Sequence, residues 1–282
     1  MKKNLLLLLV LLAAATTLLP AAPIPELLRK HLTFHASFDQ PNGQEADFAR
    51  GDRKIYNAPD YGKQFDQAKP GFGSVDVEVE KGAGVNGGSA LKFRSTNKQA
   101  LFFRGAKHLA LAGGTFSFWL RLDPAVDLWP NYSDPIQLTD GDYNDRALWV
   151  DFSKDERPRW FRLGAFGQLK AWNGSHPRPE VNPDFTKRLI VVKNPPFTRE
   201  AWTHVAITWS SLGTSKGTAS LYVNGKLVPA PASVPEAFTW GAEKLAIRLG
   251  LNYTGKVDEL AAFERVLTED EIGSIYKSGQ SK

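Results

Sequence analysis

The stretch GKVDELAAFERVLTEDEIGSIY, residues 255–276, decides the fold. Its first nine residues, GKVDELAAF, read as a strand that ends on an aromatic. Thr268 and Glu271 then form a Thr-x-x-Glu capping box, followed by Ile272 and Ile275 on one face, so a short helix closes the chain. Just upstream, TASLYVNGKLV reads as two strands around Asn224-Gly225, the strongest short hairpin signal. Before it, WTHVAITWS sets Val205, Ile207 and Trp209 opposite His204, Ala206 and Thr208.

The same period of two runs back to the start. LTFHASFD places Leu32, Phe34, Ala36 and Phe38 on one face, and TFSFWLRLD does the same with Phe116, Phe118, Leu120 and Leu122. SALKFRS, ALFFRG, ALWVDFS, RWFRLGAF, RLIVVK and LAIRLGL are further candidates. About a dozen strands, with Gly, Pro, Asn and Asp clustered between them, predict an all-β, two-sheet antiparallel jelly-roll sandwich with one short C-terminal helix. Two irregular stretches, residues 41–72 and 171–185, interrupt the rhythm; loops of that length usually carry function.

Residues 1–21 read as a signal peptide: Lys2 and Lys3, the apolar run from Leu5 to Leu12, then Ala13 to Ala15, with cleavage after Ala15 or Ala21. The run falls short of the ~20 apolar residues a membrane helix needs, and no cysteine follows it to take a lipid. The mature chain is expected to have no transmembrane segment and to be periplasmic, cell-surface or extracellular. Residues 22–30 form a lead-in, and 31–282 one domain. Without cysteine, an exported chain must be held by burial, for which 17 Phe and 8 Trp supply the rings. The formal charge of +5 falls once Lys2 and Lys3 leave, and basic and acidic residues are mixed without a basic block, which argues against nucleic-acid binding.

Taken in order, LTFHASFD, GSALKFRS, GGTFSFWLRLDP, WTHVAITWS, LYVNGK and GKVDELAAFERVLTEDEIGSIY resemble the laminin-G-like, concanavalin A-like lectin/glucanase jelly rolls. The resemblance implies two antiparallel sheets, carbohydrate or protein binding, and a structural calcium at the aspartates matching Asp39 and Asp258. Without a metal, Asp39 would open a turn and Asp258 would pair with an Arg or cap an amide. This fold hosts lectins, glucanases, lyases and adhesion modules, so function has to come from a site.

Several chemistries fail on the residues. VDVEVE puts Asp76, Glu78 and Glu80 on one strand face, but the order differs from the Glu-x-Asp-x-Glu of laminarinase-type glucanases and the strand comes too early; a solvated edge strand fits it better. Asp140, Asp142 and Asn144 begin like an EF-hand, but Asp145 stands where Gly is required and Asp151 where Glu is. There is no Gly-x-Ser-x-Gly elbow; His31 and His35 lack a telling carboxylate, and His204 belongs to a core strand.

What remains is an aromatic and polar surface on loops. Trp129, Tyr132, Tyr143 and Trp172 are the stacking candidates; Asp142, Asn144, Arg159 and His176 are the polar ones, with Arg157 and Arg162 as further forks for carboxylate or sulfate. Each ring could instead pack its loop onto the sandwich. The leading expectation is an exported, non-catalytic carbohydrate-binding or adhesion module whose partner is a glycan or polysaccharide, acidic ones included. The alternatives are a polysaccharide-cleaving enzyme on the same fold and a structural interaction module of the cell envelope.

Overall fold

A computed structural model describes residues 24–280 except 175 and 177; the expected signal peptide lies outside the described residues. Two antiparallel sheets face each other. In the back sheet Lys226–Leu227, Thr218–Val223, Thr203–Ser210, Gly113–Arg121, Gly255–Phe263, Leu32–Ala36 and Phe48–Ala49 lie side by side. Ala232–Ser233 adds to Thr218–Val223, and Ala90–Phe93 with Val77–Glu80 to Gly255–Phe263. The front sheet runs Leu189–Val192, Phe161–Phe166, Ala147–Phe152, Ser133–Thr139, Ala246–Leu251, Ala100–Arg104, Ile55–Ala58 and Lys69–Pro70. That makes eighteen strands among the described residues, more than expected because several are only two residues long.

The alternation read from the sequence becomes the core. Phe34, Phe116, Phe118, Val205, Ile207 and Trp209 of the back sheet meet Leu101, Phe103, Ile136, Leu138, Leu148, Val150, Ile247 and Leu249 of the front sheet in one buried cluster. Each large side chain fully buried there contributes ~1.5–3 kcal/mol over its exposed state, which lets the sandwich stand without disulfides. The Asn224-Gly225 turn forms as predicted, with both residues at positive φ, and pairs Val223 with Lys226.

The closing helix, Glu269–Gly279, has its full capping box: Thr268 accepts from the Glu271 amide, and Glu271 accepts from the Thr268 amide. It lies on the outer surface of the back sheet, where Ile272 and Ile275 join Ala206, Tyr222, Ala261 and Phe263, and Tyr276 stacks on Trp119. The lead-in is not bare chain: a short helix, Glu26–Arg29, carries Ile24 and Leu28 into that cluster. His204 is structural, as expected; its ring sits 2.8 Å from the Ser117 hydroxyl, and burial drives its pKa down to about 3. Glu78 and Glu80 also behave as a solvated edge, paired with Lys92 and Lys256.

The two irregular stretches flank the outer surface of the front sheet. From the first, Tyr56, Tyr61 and Phe65 cover Phe102. From the second, a helix over Leu169–Asn173 lays Trp172 on Phe166, with Phe185 beside it. Between them the sheet surface forms the floor of two cavities.

Candidate functional site

That surface is built from the outward half of each front-sheet strand. Strand registry lines up Gly164, Trp149, Gln137, Arg248 and Phe102 in one row across five strands, with Tyr56 next. Trp149 can lie flat because Gly164 has no side chain; a Cβ there would come within 2.3 Å of the indole. The Trp149 indole N–H donates to Tyr143 O at 2.6 Å, tying the 140–146 loop to the sheet.

Beside this row is a cavity of about 390 Å³, whose walls include Tyr132, Tyr143, Asn144, Trp149 and Glu180. Its floor is charged. Arg162 grips Asp151 with a bidentate fork, one arm of which is 2.8 Å long. The same guanidinium lies 5.0 Å from the Tyr132 ring centre and 5.7 Å from that of Trp149. Asp134, on the neighbouring strand, accepts from Gln137 Nε2 at 2.6 Å. Desolvation, then the charge of Asp151, pushes the Asp134 carboxyl up to about 8, against the opposing pull of Gln137 and Arg162. The shift favours the protonated, donating form of Asp134, while Asp151 is held by Arg162. Asn144 adds a buried side-chain oxygen with no hydrogen-bond partner. The exposed Tyr132 and Tyr143 rings for C–H faces, donors and acceptors for hydroxyls, and a volume within the range of small-ligand pockets meet here, with the buried Trp149 ring as part of the supporting wall.

A second cavity of about 620 Å³ opens on the other side of the 140–146 loop, between the Tyr61–Asp66 turn and Arg248. Gln137 spans the two: its amide donates to Asp134, and its carbonyl accepts from Arg248 at 3.4 Å.

The sequence-predicted residues divide accordingly. Tyr132, Tyr143 and Asn144 line the first cavity, and Asp142 lines the second. Trp172 is a correction: it is 6% exposed, packed on Phe166 and Phe185 with its N–H on Asn144 O, so it fastens the insert. Arg159 is another, since its buried guanidinium donates to the carbonyls of Ser153, Trp129 and Asn131 and closes a loop. Trp129 is 67% exposed but belongs to neither cavity wall, and His176 is exposed with its ring on Asn173 O. Asp134, Gln137, Asp151 and Arg248 escaped the sequence reading as site residues. For Asp151 and Arg248 the signal was a lone charged residue inside an otherwise apolar strand; the mixed strand that holds Asp134 and Gln137 gave none.

Asp39 and Asp258 sit elsewhere, around the 84–89 loop. Asp39 accepts from the Ser89 amide at 2.5 Å, and Asp258 from the Val85 and Glu259 amides at 2.7 and 2.8 Å. A strand irregularity between Asp258 and Ala261 turns Glu259 to positive φ and onto His35, 2.6 Å away. Among the described residues no three His, Asp or Glu side chains are grouped to hold a metal ion. His35 and Asp39, with Asp47 and Phe48, border a cavity of about 680 Å³.

A laminin G sequence profile described as the Concanavalin A-like lectin/glucanases superfamily matches residues 94–273. Among solved structures, domain 4 of AbnA, a GH43 extracellular arabinanase from Geobacillus stearothermophilus, in complex with arabinotriose, is similar at 18% identity and TM-score 0.52, covering 87% of this chain and 98% of that one. The Botulinum neurotoxin serotype D ligand binding domain in complex with N-acetylneuraminic acid is similar at 12% identity and TM-score 0.55, covering 90% of this chain and 52% of that one. At these identities the likeness establishes the fold. A search of curated protein sequences returns no match. Among the described residues no helix is long and apolar enough to cross a membrane.

Proposed function

The chain belongs to the Concanavalin A-like lectin/glucanases superfamily, and from that premise we propose that it is an exported carbohydrate-binding module whose binding face is the outer surface of the front sheet. One observation carries the reading: the Tyr132 and Trp149 rings share the Arg162 guanidinium, which grips Asp151 beside Asp134, in one cavity. Support of a weaker kind comes from relatives solved with arabinotriose and N-acetylneuraminic acid. Export is supported by the basic, apolar and small-residue order of residues 1–21, and N-terminal sequencing of secreted protein tests it.

Binding is tested by calorimetry of the folded domain on a panel of neutral and acidic oligosaccharides, arabinotriose included. Tyr132→Ala, which removes a half-exposed ring, is expected to weaken binding about tenfold, near 1.4 kcal/mol, without moving the melting temperature. Failure of the folded protein to bind any saccharide overturns the proposal.

A second reading, polysaccharide cleavage, is favoured by one feature, a proton-holding carboxyl next to an Arg-bound carboxylate. Release of reducing ends that disappears in Asp134→Asn would favour it over binding alone.

The proposal includes a structural calcium at Asp39 and Asp258. Its support is that burial, with Glu259 and Asp39 nearby, raises the Asp258 carboxyl well above the usual range, a strain that a cation relieves. Against it stand the three backbone amides already on these carboxylates. A melting temperature several degrees higher in millimolar calcium than in chelator is expected, and no difference overturns it.

A further inference from the structure

Arg248 is a buried cation that no carboxylate contacts directly; Asp140 and Asp142 act on it only from across the cavity. It is 8% exposed, and among the described residues no carboxylate lies within ion-pair distance. Its guanidinium contacts are neutral: Nε donates to Gln64 Oε1 at 2.9 Å, Nη1 to Gln137 Oε1 at 3.4 Å, and the plane lies 5.4 Å from the Tyr61 ring centre. Nη2 donates to nothing among the described residues. Two further donors on the same cavity wall are idle, Gln64 Nε2 and the Tyr61 hydroxyl, both buried and without a partner. Lys63 and Lys244 stand exposed at the rim. The acids of the wall are engaged: Asp140 with Arg146 and the Gly241 amide, Asp142 with the Tyr143 amide; Asp66 is exposed.

Burying a guanidinium is costly unless something neutralises it, and its planar fork matches the two oxygens of a carboxylate. We propose that the 620 Å³ cavity is a subsite for the carboxylate of a uronic acid residue, with Arg248 as the fork and Tyr61 and Gln64 as supporting donors. This rests on the saccharide-binding reading and adds its ligand class, an acidic polysaccharide. The first cavity then takes a neighbouring sugar, because Gln137 joins Arg248 to Asp134 across the ridge between them.

The experiment is calorimetric titration of the intact domain with oligogalacturonate, with the same oligosaccharide fully methyl-esterified, and with a sulfated oligosaccharide of equal length. The free acid is expected to bind at least tenfold tighter than the ester. In Arg248→Gln that preference should vanish, and Arg248→Lys should keep part of it. Equal affinity of the wild-type protein for acid and ester overturns the inference while leaving the saccharide-binding reading in place. Preference for the sulfated chain also overturns it, as would binding of no saccharide at all, which sinks both. The acid-to-ester ratio is read on unaltered protein, so it stands even if an Arg248 variant fails to fold.

Discussion

Gly164 forms the bed on which Trp149 rests: a methyl group at Gly164 would lie 2.3 Å from the indole. Gly164→Ala must therefore lift the ring, breaking its bond to Tyr143 O and loosening the 140–146 loop. We expect a loss of ~1–3 kcal/mol in stability, as for other overpacked sites, with altered tryptophan fluorescence. Thermal unfolding and emission spectra check it; an unchanged spectrum counts against this geometry.

Asp134 makes stability fall with rising pH. Its carboxyl ionises near 3.8 when unfolded but holds its proton to about 8 when folded, so between those values the folded chain binds more protons. The stabilisation is complete below 3.8 and is lost as pH rises through about 8. Asp134→Asn, which keeps an oxygen for Gln137, should flatten this slope and raise stability at pH 8 on the order of 1–3 kcal/mol, allowing for screening in an open cavity. Denaturant unfolding at pH 5 and pH 8 decides the sign.

His35 acts in a different window. Burial alone would lower its pKa, but the hydrogen bond and charge of Glu259, helped by Asp47, raise it above 6.5. Its contribution is full below 6.5 and fades as pH climbs through the raised folded value. His35→Gln should remove stability at pH 6 and remove less of it at pH 9. Equal losses at both would show that the imidazolium is not what holds Glu259.

Trp172 and Trp129 should respond oppositely to truncation. Trp172→Ala empties the packing against Phe166 and Phe185 and is expected to cost about 3 kcal/mol. Trp129→Ala removes an exposed ring outside both cavities and should stay within about 0.5 kcal/mol, with saccharide binding intact. Melting temperatures of the two variants side by side give the answer.

Much of the architecture was legible because its signals are local. A two-residue period, the Asn224-Gly225 turn and the Thr268–Glu271 box each act within a few residues, and each forms. The site was legible only in part. Tyr132, Tyr143 and Asn144 announce themselves on two loops rich in polar residues. Arg248 sits between Ile247 and Leu249, and Asp151 between Val150 and Phe152, where the pattern says only that they face away from the core. That Arg248 comes level with Gln137 depends on registry between strands more than a hundred residues apart, and Asp151 lies two residues along its strand from Trp149 of the same row. The Trp172 ring faces inward because Phe166 waits beneath it, and loop composition carries no trace of that.

Ile24 and Leu28 share one apolar cluster with Ile272 and Ile275, so the two ends of the described chain are gathered on the back sheet. A biosensor surface or fluorescent partner attached through either end would thus approach from behind. The sugar-facing side would stay turned toward solution, and immobilised protein should report the same affinities as free protein.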